Sequence, residues 1–274
     1  MRAAPWFGVL LLLAVATGVP AAAPATVFVE ELTWPELRDQ VRAGRTTIII
    51  PIGGTEQNGP HMVLGKHNTR ARALAGTIAQ TLGNALVAPV LAYVPEGSIE
   101  PPTAHMRFPG TITVPEAAFE QVVASAARSF KRHGFHDIVL LGDHGGYQKS
   151  LRAAANRLNR EWSATTVRVH AVEEYYRVAE TTYAQALRSR GYRDDEIGTH
   201  AGLADTSLAL AVDPGLVRTE RLQPGTKLGA AEGVHGDPRR ASAELGQLGV
   251  DAIVTATIDA IRRATARGQP SVRP

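Results

Sequence analysis

The chain reads as an α/β protein: a single layered domain with a mostly parallel sheet. Three observations predict this. Apolar, β-rich runs alternate with stretches of helical spacing along the chain. The run at 136–142 (HDIVLLG) is almost continuously apolar, as strands buried on both faces are. Glycine turns follow the strand candidates at Gly53 and Gly142. With 274 residues, 44% of them hydrophobic, the chain can bury the core of one domain of roughly 250 residues.

The elements follow in order. Arg2, the apolar run 7–19 and the small residues Pro20 to Ala25 have the pattern of a secretory signal over 1–25. The apolar run is too short for a comfortable membrane span. A periplasmic or secreted protein is therefore expected, with the domain over 26–274 and no stable membrane insertion after cleavage. Residues 47–52 (TIIIPI) predict a strand and 69–82 a helix, and 85–94 predicts a second strand. Residues 96–109 carry three prolines and a glycine and read as a long loop. A short strand is expected at 111–114, then a helix from Pro115 to about His133 that Gly134 stops. After the 136–142 strand come a helix at 150–162, a strand at 166–172 and helices at 175–190, 205–212 and 246–267.

Composition excludes some functions. The chain has no cysteine, so thiolate catalysis and cysteine-ligated zinc are out, and any metal must rest on His, Asp and Glu. The net charge is +3 with no basic stripe or interleaved aromatics, so nucleic acid is not an expected partner. No Gly-x-Ser-x-Gly elbow supplies a serine nucleophile, and the glycines near residue 53 lack the Gly-Lys-Ser/Thr ending of a phosphate loop.

Four segments carry chemistry. Gly53-Gly54-Thr55-Glu56-Gln57-Asn58-Gly59-Pro60-His61 follows the first strand, and Gly142-Asp143-His144-Gly145-Gly146-Tyr147 ends a later one. Ligands of open α/β sheets bind outside the carboxyl ends of the strands, which puts these two segments together. His105 precedes Phe108-Pro109-Gly110-Thr111, and Gly198-Thr199-His200-Ala201-Gly202 leads to Asp205-Thr206-Ser207.

In order and spacing, over roughly residues 45–210, these segments resemble the creatininase family. The resemblance implies an α/β/α sandwich, often hexameric, with a two-metal site hydrolysing C–N bonds of amides or cyclic amides. It carries metal-ligand roles to Glu56 and His144. It also marks departures: Asn58 stands at a ligand histidine, His67 at the aspartate bridging the metals, and Gly146 at a glutamate of creatininase itself. A neutral imidazole cannot bridge two metals as a carboxylate can. The expected site is therefore mononuclear, with Glu56, His67 and His144 holding one zinc or manganese per chain and a fourth position open. His200, Asp143 and Asp205 are the candidate proton carriers or orienting groups. Asn58, His105, Tyr175 and Tyr176 are candidate contacts of a small amide or lactam substrate. The same departures raise a second reading, a non-catalytic relative that binds a small molecule.

Overall fold

The computed structural model describes residues 26–266; the expected signal segment lies outside them. Four strands, β1 (Thr47–Ile52), β2 (Ala85–Val87), β3 (Asp137–Gly142) and β4 (Arg168–Ala171), form one sheet in the order β2-β1-β3-β4. Every pairing is parallel, with Thr47 opposite Asp137 and Ile52 opposite Gly142. Both faces are covered, so β1 is buried along its whole length and cannot alternate polar with apolar residues. One face (Ile49, Val139, Leu141) packs on α2 (Lys66–Leu82), α8 (Leu203–Val212) and α9 (Ala243–Ala266). The other (Ile48, Ile50, Leu140) packs on α3 (Glu116–Arg132) and α4 (Gln148–Glu161). The result is the three-layer α/β/α arrangement.

Several elements differ from the sequence reading. Helix α1 (Trp34–Arg42) is additional; its start is written in the Thr33–Glu36 capping box with Pro35 in the first turn. Strand β2 ends at Val87, and Leu91 returns to β1 by a single bridge. The 111–114 stretch is extended but joins no ladder; Ile112 donates to the Thr55 carbonyl and Val114 to that of Val94. The expected 175–190 helix is broken into α5 (Glu174–Val178), a π segment (Ala179–Tyr183) and α6 (Ala184–Arg188). A short α7 (Asp194–Ile197) precedes α8. Helix α9 starts at Ala243, three residues before the expected 246, and Gly246 lets it press against α8: a Cβ there would lie 1.8 Å from the Ser207 carbonyl oxygen. That contact fixes the height of α8, which carries Asp205.

The strand order reverses between β1 and β3. Their carboxyl ends open the crevice where a site is expected in such sheets, and the loops after both strands converge there. Among the described residues, no helix is long and apolar enough to cross a membrane.

Candidate metal centre and active site

Glu56 is the hub. The loop after β1 is pinned from both sides: Glu56 N–H donates to the Leu64 carbonyl, and Asn58 Nδ2 donates back to the Glu56 carbonyl (2.9 Å). The side chain is fully buried. Its Oε2 lies 3.3 Å from His105 Nε2 and 3.5 Å from His144 Nε2, and Oε1 lies 2.8 Å from His67 Nε2. His144 comes from the turn after β3, where Tyr147 Oη accepts from the His144 N–H (3.1 Å) and donates to the Gly53 carbonyl (2.6 Å). One tyrosine thus staples the loops after β1 and β3 together.

Glu56, Glu96, His105 and His144 each offer a ligand atom, all within 4.8 Å of one another. The chemistry of this set suits a divalent ion. Glu56 Oε2 and both oxygens of Glu96 are buried without a hydrogen-bond partner among the described residues. Buried acceptors of that kind are costly unless something cationic meets them. Two carboxylates and two imidazoles are also a ligand set from which zinc or manganese sites are built.

His67, expected as a ligand, takes a different place. Both its ring nitrogens are committed to carboxylates, Nε2 to Glu56 and Nδ1 to Asp143 Oδ2 at 2.6 Å. A neutral imidazole has one N–H, so two carboxylate partners favour the doubly protonated ring. Burial and the Lys66 charge oppose the second proton, yet Glu56 and Asp143 outweigh them and the pKa is raised. Glu96 and His105 stand in the cluster beside Glu56 and His144 instead.

The remaining candidates separate by geometry. Asp143 accepts from His67, Arg70 Nε (2.9 Å) and Tyr175 Oη (2.9 Å), so it positions His67 and has little capacity left as a base. Tyr175 is buried on that carboxylate and Asn58 is sealed in its loop, donating also to the Val63 carbonyl; neither faces the cavity where a substrate contact was expected. Tyr176, His105, His200 and Asp205 do line it. This cavity, about 490 Å³, runs from the cluster outward between α5, α6 and α8. His200 Nε2 lies 3.0 Å from the Gln57 carbonyl oxygen and 3.1 Å from the Gln57 side-chain Nε2, and Nδ1 lies 3.7 Å from Glu56 Oε1. Burial and Lys66 lower the His200 pKa to about 3, and burial lowers that of His144 to about 4, so both rings are neutral at ordinary pH.

Backbone strain marks the same places. Among the described residues only Ala104 (φ 47°) and Ala201 (φ 54°) are non-glycine residues with positive φ, and each adjoins a cavity histidine, His105 or His200. Such conformations cost on the order of 1 kcal/mol and concentrate at functional sites.

Three participants escaped the sequence reading. Glu96 sits in the proline-rich loop with no pattern around it. Lys66 and Arg70 had a signal in their spacing: at i and i+4, with His67 three before Arg70, they share one face of the first two turns of α2. Both are buried, and Arg70 also bonds Asp205 Oδ1 (2.8 Å).

A parallel α/β sheet with a buried carboxylate–imidazole cluster at its switch point defines a metal-dependent hydrolase class of site. The creatininase family model, described as creatinine amidohydrolase, matches residues 30–261, and the chain belongs to that family. It is 30% identical to the creatinine amidohydrolase of Pseudomonas putida over 256 residues, covering 86% of this chain and 96% of the relative. It is 28% identical to the mycofactocin precursor peptide peptidase of Mycolicibacterium smegmatis over 242 residues, covering 79% and 84%. A solved variant creatininase of Zn-Zn type superposes with a TM-score of 0.70 at 28% identity, covering 88% of this chain and 99% of that one.

Proposed function

We propose that the chain is a metal-dependent amidohydrolase that cleaves a C–N bond of an amide or cyclic amide with one divalent ion, zinc or manganese. The observation that carries this is the convergence of three unpartnered carboxylate oxygens of Glu56 and Glu96 on His105 and His144. Charge favours a cation there: four carboxylates (Glu56, Glu96, Asp143, Asp205) face Lys66, Arg70 and the protonated His67, which leaves the cluster net negative.

Bound there, the ion would supply Lewis-acid activation of water and of the scissile carbonyl. The chain's own residues do the rest. His200, which lines the cavity beside the cluster, is the imidazole placed to take the water's proton and return one to the departing nitrogen. Asp143 and Arg70 hold His67 against Glu56, which fixes the Glu56 carboxylate. Tyr176 walls the cavity. The chain's site is proposed to work outside the cytoplasm, on the leader pattern of residues 1–25, and in a homo-oligomer, on the family resemblance.

The test is metal content by mass spectrometry of chain 26–274, purified without chelator, beside a screen of amides, lactams and short peptides. About one ion per chain and turnover that scales with it are expected. No metal even after loading would leave a non-catalytic binding protein.

Without metal the site must be neutralised by protons, which gives a pH signature. Burial and then the Glu56 charge push Glu96 up to about 10. In the unfolded chain a glutamate ionises near 4.3. Between those values the folded state holds a proton that the unfolded state has released, so stability falls as pH rises. His67, also raised, acts in the same direction. The histidines shifted down titrate below their ordinary 6.5, outside the window from pH 7 to 9. There, metal-free protein is expected to lose about 1 kcal/mol per pH unit, several degrees in Tm, and saturating zinc should flatten the slope. A flat metal-free curve in calorimetry would contradict the Glu56–Glu96 pairing.

A further inference from the structure

Lys66 is a buried cation that the metal cluster does not use. It opens α2, where backbone N–H groups and the helix dipole favour anions over cations, and its side chain is 1% exposed. Lysine is almost never fully buried unless its charge is paired. The ammonium donates to Asp205 Oδ2, yet Asp205 is already served by Arg70 NH1 and by the Ala201 N–H at 3.0 Å. An ammonium carries three donors, and Lys66 has no second acceptor among the described residues. It lines the cavity beside His105, His144 and His200. Its remaining N–H groups have the cavity to serve.

We propose that Lys66 is the anion hook of this cavity: its ammonium receives a negatively charged oxygen of the bound substrate beside the metal cluster. The inference rests on the hydrolase reading above. Two oxygens share this chemistry. One is a carboxylate carried by the substrate. The other is the amide oxygen itself, which gains charge as water adds to the carbonyl carbon and the π pair moves onto it. That charge returns as the C–N bond breaks and the nitrogen takes a proton. In either case a tethered ammonium supplies positive charge in a water-poor site, where it acts more strongly than in bulk solvent.

The test uses chain 26–274 loaded with one equivalent of zinc and titrated calorimetrically with acetate and with methylphosphonate, a tetrahedral oxyanion. Lys66→Met should keep its zinc and bind methylphosphonate at least tenfold more weakly than the parent chain. A parallel loss of acetate binding identifies a carboxylate subsite; loss of methylphosphonate alone identifies the reacting oxygen. Lys66→Arg keeps the charge and should retain most of the affinity. If Lys66→Met does not fold, Lys66→Met with Asp205→Asn removes the ion pair as a unit and carries the same expectation. Equal affinity in parent and variant, or no binding of either anion by the parent, overturns the proposal. Absence of zinc from the parent chain would instead sink the metal reading, so the two failures are distinct.

Discussion

Glu56→Ala is expected to strip the protein of its metal and its activity together. Glu56 lies in contact range of His67, His105, His144 and His200 at once. Zinc held by four protein ligands is bound by roughly 10–16 kcal/mol, so one ligand is worth about 3 kcal/mol, on the order of a hundredfold in affinity. Deleting Glu56 also removes the charge that holds the second proton on His67. Metal content after dialysis, with zinc competition against a chromogenic chelator, measures the effect. Undiminished zinc in the variant would show that the cluster is not the binding site.

Arg70→Met is expected to have the largest effect on stability. The guanidinium spans buried Asp143 and half-buried Asp205, and its removal leaves them only His67 and Lys66 as counter-charges. Breaking a buried pair from one side costs about 3–5 kcal/mol. In a domain of this size that is roughly 10 °C in Tm. Arg70→Lys should recover little of it, because a single ammonium cannot reach across both acids as the planar fork does. The exposed pair Arg128–Glu161 supplies the contrast, since its loss should cost less than about 1 kcal/mol. A Tm fall of only a degree or two in Arg70→Met would mean that the acids find other partners.

The layers of the fold were legible because each signal was local. The largely apolar runs at 47–52 and 136–142 became the two central strands, and the glycine turns behind them became the walls of the site. Glu56, His144, His105 and His200 could be picked out by their motifs and do meet in space. What the sequence could not show was who faces whom. His67 lies two residues from a glycine turn and looks like a free ligand, but Asp143, 76 positions away, claims its second nitrogen. Tyr175 and Tyr176 are neighbours in sequence and point to opposite ends of the problem, one into the core and one into the cavity. Glu96 was invisible because its partners are all more than eight residues distant and its loop has no periodicity. The broken 175–190 helix escaped for a related reason: its apolar spacing is helical throughout, and the π turn has no composition of its own.

The pairing of β1 with β3 has a consequence for how the chain assembles. Glu56 and His144 stand four and two residues past the ends of strands whose alignment is Ile52 opposite Gly142. A slip of one residue would move one loop along the other by about 3.3 Å. That exceeds the tolerance of a coordination shell, and it would carry Tyr147 away from the Gly53 carbonyl that it clamps. A divalent ion bound by the proposed cluster would therefore act as a gauge of strand alignment, rewarding only chains whose central ladder has closed in the right frame. Its arrival would then be a checkpoint in maturation as well as the provision of a reagent.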